Sequence, residues 1–143
     1  MKVFTGNKVG RILFVRIDQG DDIIECVNKV IEENKIENGY IATAIGTLSS
    51  SVTHYITTTD YPSSFNFDRL KDKPIELSSV DGLIVDGAAH LHTVVSDPER
   101  VYSGHLEPGC KALYAFEMVI VEVEGLNITR KPNKHDKKQI EYK

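Results

Sequence analysis

Helical periodicity occurs in only one stretch of this chain, and this restricts the fold more than any other feature of the sequence. Between Gly20 and Lys35, apolar residues recur at spacings of three and four behind an acidic first turn, which predicts one amphipathic helix. Before it, residues 11–18 alternate between two faces, as in a strand. After it, β-branched and aromatic residues dominate and the helical pattern does not return.

The segments that follow the helix have the pattern of strands joined by short turns. Gly46–Leu48 is predicted to separate the first two strands, and residues 60–72, with Pro62 and Asn66, are predicted to form a loop. Consecutive strands joined by short turns form hairpins, so we predict an α+β fold: a mainly antiparallel β-sheet with one principal helix packed on it. The predicted strands are 11–18, 40–45, 51–59, 75–85, 88–96, 101–106 and 112–124.

Length and composition indicate one globular domain. A chain of 143 residues, 41% hydrophobic and 27% charged, is unlike disordered or collagen-like proteins. It contains no apolar stretch near the roughly 20 residues of a membrane helix and no secretory signal, so we expect no membrane contact and a cytoplasmic location. Cys26 and Cys110 stand too far apart for a Cys-x-x-Cys motif.

Charge divides the chain into a domain, residues 1–126, and a basic C-terminal tail, residues 127–143. The tail has six basic and two acidic residues and a net charge of +4; because the whole chain carries −4, the domain carries −8. The tail has no clear periodicity, so we expect it to be mobile or to dock on a partner. DNA is a candidate partner, with phosphate contacts from Arg130, Lys131, Lys134, Lys137 and Lys138.

Three of the five histidines lie in one predicted hairpin. His90 and His92 are two apart on a strand and therefore share a face. Residues 97–100 begin Asp-Pro, as type I turns prefer, and a turn centred there pairs His92 with His105 and leaves His90 as its diagonal neighbour. We therefore predict that three imidazoles converge on one metal ion.

Zinc is the predicted metal, because neutral imidazoles suit it and a tetrahedral ion with three protein ligands keeps a position for water, substrate or a residue of another chain. Nickel, cobalt, copper and iron stay open as alternatives. His54, on a separate strand, is assigned to packing or a subunit contact rather than to the metal, and His135 to the solvent-exposed tail. Glu117, on the last strand, is a candidate general base or partner of a metal ligand.

Several ordered blocks give the chain a resemblance to the plants and prokaryotes conserved (PPC) domain, which occurs in plant AT-hook nuclear proteins and as stand-alone bacterial and archaeal proteins. The resemblance spans about Arg16 to Gly125. Its blocks are residues 16–23 (RIDQGDDI), 44–49 (AIGTLS), 74–78 (PIELS), 90–92 (HLH), 103–106 (SGHL) and 116–121 (FEMVIV).

The resemblance implies an antiparallel sheet with helix cover, a homotrimer, and histidine metal positions at His90, His92 and His105. The sequence departs from the family where Ser103 replaces a frequent glycine and where residues 73–76 (KPIE) replace the plant Gly-Arg-Phe-Glu block. It also lacks the Arg-Gly-Arg-Pro AT-hook with which the plant proteins contact the minor groove.

Two functions of different classes follow. The first is a trimeric, metal-binding module with a DNA-binding or regulatory role, in which the basic tails contact phosphates. The second is a zinc-dependent enzyme, of hydrolase or lyase type, acting on a small polar substrate at His90, His92 and His105. In that case Glu117 or a residue of a neighbouring subunit would move the proton.

Overall fold

A computed structural model describes all 143 residues of the protein. It contains one helix and eight strands, and every strand pairing is antiparallel, which confirms the predicted fold class. No helix in it is both long and apolar enough to cross a membrane. The elements are β1 (Lys8–Ile17), α1 (Ile23–Asn34), β2 (Asn38–Ile56), β3 (Phe65–Val85), β4 (Ala88–Ser96), β5 (Val101–Leu106), β6 (Lys111–Glu124), β7 (Ile128–Pro132) and β8 (Lys138–Tyr142).

The main sheet has the strand order β1-β6-β2-β3-β4-β5, and β5 also pairs with β2. This extra pairing closes β2, β3, β4 and β5 into a ring, because β5 has β4 on one side and the end of β2 on the other. Strands that are distant in sequence therefore lie side by side at the carboxyl end of β2.

Helix α1 covers the sheet with one apolar stripe. Ile23, Val27 and Ile31 are buried, as the helical periodicity predicts. Asp22 caps its first turn by accepting hydrogen bonds from the backbone N–H groups of Ile24 and Glu25. The helix ends where Lys35 adopts the left-handed conformation.

The predicted β4–β5 hairpin is confirmed, including its bounds and register. Asp97 donates its backbone N–H to the carbonyl of Arg100, and its side chain accepts from the N–H groups of Glu99 and Arg100. The side chain thus fixes the turn on which the register depends. His92 pairs with His105 across the two strands.

Two predicted interruptions of the sheet are wrong. Gly46 lies inside β2, not in a turn. Because β6 passes so close that an added Cβ would meet the Ala115 carbonyl oxygen at 2.5 Å, the glycine serves this close approach. Residues 65–72, predicted as part of a loop, begin β3, where Phe65 pairs with Ile56 and Lys71 with Ser50. Pairing with a long neighbouring strand outweighs the local turn formers.

The tail, in which the sequence shows no clear periodicity, forms a β7–β8 hairpin. Ile128 is buried at its start. Its base is held at the β3–β4 turn, where Asp86 accepts a hydrogen bond from Thr129 and pairs with Lys143 at 2.7 Å. The placement of a domain boundary at residue 126 stays a prediction.

Candidate metal centre

Three histidines from three adjacent strands lie in register at the carboxyl end of β2. His105 on β5 pairs with His92 on β4 and, on its other side, with His54 on β2. The rings of His54 and His105 stack with centroids 4.7 Å apart and an interplanar angle of 13°. The His92 and His105 centroids are 5.5 Å apart. His54, which the sequence assigns to packing or a subunit contact, therefore lies beside the histidines of the hairpin.

His90 completes a cluster of four imidazoles. It lies two residues before His92 on β4, and its ring centroid is 5.3 Å from that of His92 and 4.9 Å from that of His105. The three histidines predicted from the hairpin thus lie together on one face. Neither the hairpin nor any local motif signals His54, because its place depends on the β2–β5 pairing.

Glu107 is a member of the site that the sequence analysis missed. Its Oε1 atom lies 2.6 Å from Nδ1 of His54 and 3.4 Å from Nδ1 of His105. A signal was available, since His105 and Glu107 are two apart, the same spacing that places His90 and His92 on one face. His54, His105 and Glu107 offer ligand atoms that all lie within 4.8 Å of one another.

Burial and neighbouring charge favour the neutral form of two of the imidazoles. The pKa of His90 is lowered by burial and then by the positive charges of His105 and Arg130. The pKa of His105 is lowered by burial and by His54, with Glu107 opposing the shift. A neutral imidazole has a free nitrogen lone pair for a metal, so these donors fit a transition metal ion such as zinc.

The chemistry of the donors permits two ligand sets that share His105. One is the predicted set of His90, His92 and His105, whose ring centroids lie 4.9 to 5.5 Å apart. The other is His54, His105 and Glu107, whose ligand atoms lie within 4.8 Å of one another. In the first set, Nδ1 of His105 would be oriented by the Leu106 carbonyl oxygen at 3.1 Å and the Glu107 carboxylate at 3.4 Å, since oxygen acceptors commonly orient metal-bound histidines. Both sets supply three protein ligands, which suits an ion that keeps a position open.

The cluster forms the wall of a groove of about 740 Å³. The segment after β2 contributes Thr58, Asp60 and Tyr61 to its lining, and the tail hairpin contributes Lys137. His90 and His92 are exposed to this space, whereas His54 and His105 are about a quarter and a third exposed. A metal ion in the cluster would therefore be accessible to small molecules.

Glu117 lies elsewhere on the molecule. It pairs with Ile45 of β2, nine residues before His54, or about 30 Å along an extended strand. It lines a separate depression with Phe14 and Arg16. Within one chain, the structure does not bring Glu117 to the histidines. His135 is exposed in the tail, as expected, but its ring stacks on Tyr61 beside the groove.

A model of the Plants and Prokaryotes Conserved (PCC) domain, the PPC domain of the resemblance above, matches residues 4–124, most of the chain. The protein belongs to this family. The match runs from the residues before β1 to the end of β6 and so includes all four clustered histidines and Glu107. The PPC resemblance drawn from the sequence blocks is thereby confirmed.

Two solved structures have the same fold as this PPC domain. A metal-containing protein from Archaeoglobus fulgidus is 26% identical, with 95% of each chain covered and a TM-score of 0.80. A protein from Bacteroides thetaiotaomicron, provisionally named as DNA-binding, is 20% identical, with 99% of each chain covered and a TM-score of 0.76.

A curated relative, the bifunctional protein GlmU from Synechococcus sp. strain JA-3-3Ab, is 24% identical over 124 residues. The alignment covers 86% of this chain but 19% of the relative. The PPC chain therefore spans about a fifth of the length of that protein.

Proposed function

We propose that this protein is a zinc-binding PPC module in which the histidine cluster holds one metal ion. The observation that carries the proposal is the convergence of four imidazoles and one carboxylate from β2, β4 and β5 beside a groove. The metal-containing relative from Archaeoglobus fulgidus supports it. Of the two ligand sets, we propose His90, His92 and His105, with the Leu106 carbonyl and the Glu107 carboxylate orienting His105.

Elemental analysis of tag-free protein tests this proposal. The parent is expected to hold about one zinc per chain, and the double variant His90→Ala, His92→Ala to hold none. The variant Glu107→Gln is expected to keep the ion with an affinity reduced about 10- to 100-fold, as for other partners of metal ligands. The control His135→Ala removes a histidine outside the cluster and should keep the parent's zinc content. A parent without metal would refute the proposal.

Loss of zinc in a His54→Ala, Glu107→Gln variant, with full retention in the His90→Ala, His92→Ala variant, would assign the other ligand set. Because both ligand sets contain His105, a single substitution of His105 would not distinguish one set from the other. Metal titrations of the two double variants, each checked for folding by circular dichroism, therefore decide which residues hold the ion.

We further propose that the module assembles as a homotrimer, as the family resemblance implies. The face of β1, β6 and β2 that points away from α1 carries exposed apolar side chains, with Phe14 85% and Ile45 58% exposed. These residues, together with Val119, line a depression of about 370 Å³. Burial of such a face against further copies would remove apolar surface from water.

DNA binding is a second part of the proposed role. The Bacteroides relative provisionally named as DNA-binding supports it. In the tail, Arg130 donates to the carbonyls of Ala88 and Leu83, and Lys131 donates to the carbonyl of Tyr142. Phosphate contacts would therefore come mainly from Lys134, Lys137 and Lys138, which take part in no ion pair.

A salt titration of DNA binding tests this role. With one tail contributing about three phosphate contacts, the logarithm of the association constant is expected to fall by roughly 2.7 per tenfold increase in salt. The triple variant Lys134→Ala, Lys137→Ala, Lys138→Ala should remove most of that slope. No binding by the parent at low salt would refute the DNA role.

The alternative function is a zinc-dependent hydrolase or lyase at the same histidines. The groove beside the cluster favours it, because a small polar substrate could reach an ion held there. Bound zinc would polarise a substrate oxygen and lower the pKa of water. Glu117 could move the proton only in the groove of a neighbouring subunit, since it lies far from the histidines of its own chain. Turnover lost equally in Glu117→Gln and the histidine variants would support this alternative.

A further inference from the structure

The tail hairpin brings a lysine to the groove beside the histidine cluster. Its turn is fixed by Asn133, whose side-chain oxygen accepts from the backbone N–H groups of His135 and Lys137 at 2.9 and 3.0 Å. The ring of His135 stacks on Tyr61 with centroids 3.9 Å apart and an interplanar angle of 9°. The turn is thus held against the segment after β2, and Lys137 becomes part of the groove wall.

The base of the hairpin is also fixed to the domain, so the position of Lys137 does not depend on the stacking contact alone. Arg130 donates to the carbonyl of Ala88 at 3.0 Å and to that of Leu83 at 3.3 Å. Lys143 pairs with Asp86, which also accepts from Thr129. Contacts at both ends of the hairpin reduce the entropy lost when Lys137 engages a ligand.

The charge of Lys137 is not balanced by a partner. Its ammonium group takes part in no ion pair, whereas Lys143 of the same tail pairs with Asp86. Asp60 is the only carboxylate in the groove lining. A divalent ion at the histidines, together with Lys137, would therefore still leave an excess of one positive charge over the carboxylates of Asp60 and Glu107, next to the hydroxyl groups of Thr58 and Thr59.

We propose that the groove binds a small oxyanion, a carboxylate or a phosphate, whose charge is balanced by the metal and by Lys137. This inference rests on the proposed metal centre and names the ligand class of that site. The groove volume of about 740 Å³ lies within the usual range for small-molecule sites. An ammonium group provides hydrogen-bond donors and charge for either anion.

Isothermal titration of the full-length, zinc-loaded protein, with free zinc removed, tests the proposal. The probes are inorganic phosphate and malonate, used in separate titrations that distinguish a phosphate ligand from a carboxylate ligand. Lys137→Ala is expected to weaken binding of the accepted probe by about tenfold or more, because it removes a charged hydrogen bond. Lys137→Arg should keep most of the affinity.

Lys134→Ala is the matched control, since Lys134 lies in the same turn but does not line the groove. It should change the affinity less than twofold. Equal weakening by Lys134→Ala and Lys137→Ala would overturn the proposal, because it would indicate general attraction to a basic tail. Both variants are expected to retain the parent's zinc content.

The outcomes separate this inference from the proposed function. Zinc-loaded parent that binds neither phosphate nor malonate would overturn the oxyanion site and leave the metal centre intact. A parent that takes up no zinc would overturn the metal centre and, with it, the inference that rests on it. Metal content and probe affinity are measured on the same preparations.

Discussion

Gly104 sets how closely β5 can approach β2 beside the candidate metal centre. An added Cβ at this position would collide with the carbonyl oxygen of His54 and lie 3.0 Å from its carbonyl carbon. These are backbone atoms of a paired strand and cannot rotate away. The absence of a side chain at Gly104 therefore permits the pairing that brings His54 to His105.

Gly104→Ala is expected to move β5 away from β2, to lower the free energy of unfolding by about 1–3 kcal/mol, and to weaken zinc binding. Urea denaturation and metal titration measure the two effects. Ser103→Ala, at the exposed neighbouring position, is the control and should change stability by less than about 0.5 kcal/mol. A Gly104→Ala variant with the parent's denaturation midpoint and zinc affinity would contradict this role.

Asp97 makes the β4–β5 hairpin sensitive to acid. Its side chain, 2% exposed, accepts hydrogen bonds from the backbone N–H groups of Glu99 and Arg100, from Lys73 and from Tyr102. These hydrogen bonds, above all the one from Glu99, lower the pKa of Asp97 from 3.8 to about 2. The carboxylate therefore stabilises the folded state above pH 4, and this contribution is lost as the pH falls towards 2.

Unfolding midpoints measured between pH 7 and pH 2 test this expectation. The parent should lose stability between about pH 4 and pH 2, and Asp97→Asn should lose less over that interval, because its side chain does not titrate. Asp136→Asn, at an exposed position of the tail, should follow the parent. Identical acid dependence of the parent and Asp97→Asn would assign the transition to other carboxyl groups.

At the scale of elements, α1 is tied to the sheet by the residue that caps it. One carboxylate oxygen of Asp22 caps the helix, and the other accepts a hydrogen bond from the backbone N–H of Gly109 at 2.6 Å. Gly109 lies in the connection between β5 and β6. The same side chain therefore fixes the start of α1 and the turn that follows the candidate site.

Asp22→Ala is expected to lower the free energy of unfolding by about 2 kcal/mol, since it removes both the cap and the acceptor for Gly109. Asp22→Asn retains a cap oxygen and should lose less. Asp21→Ala changes the adjacent exposed carboxylate and serves as the control in the same urea denaturation series. Equal destabilisation by Asp21→Ala and Asp22→Ala would argue against a specific cap.

Elements with a strong local signal were predictable from the sequence, and those formed by distant pairing were not. The β4–β5 hairpin carries its own turn at Asp97, so its register and the proximity of three histidines follow from the sequence. His54 joins them only through the β2–β5 pairing, which no short-range pattern encodes. The tail hairpin likewise depends on contacts with Asp86 in the β3–β4 turn.

At the scale of the whole molecule, the sheet has two faces of different character. One face is covered by α1, whereas the other exposes Phe14 and Ile45. An exposed apolar surface of this kind usually marks an interaction site. The histidine cluster lies further along β2, at its carboxyl end, and all the proposed metal ligands belong to one chain.

Phe14→Glu is expected to convert the proposed trimer into monomers, because it places a charge in the buried interface. Light scattering coupled to size-exclusion chromatography measures the mass, and zinc content should be unchanged. Lys29→Glu, on the exposed side of α1, is the matched surface control and should stay trimeric. A parent that is monomeric at micromolar concentration would refute the trimer.

The position of β1 at the sheet edge has a consequence for how the chain folds. Its only partner is β6, and paired residues such as Arg16 and Glu117 are separated by roughly 100 residues of chain. During synthesis, β1 emerges from the ribosome long before its partner exists, so Ile17, which is buried in the folded domain, has no cover until β6 is in place. Pairing of β1 is therefore expected to wait until β6 has been synthesised, and the unpaired strand is a natural substrate for chaperones.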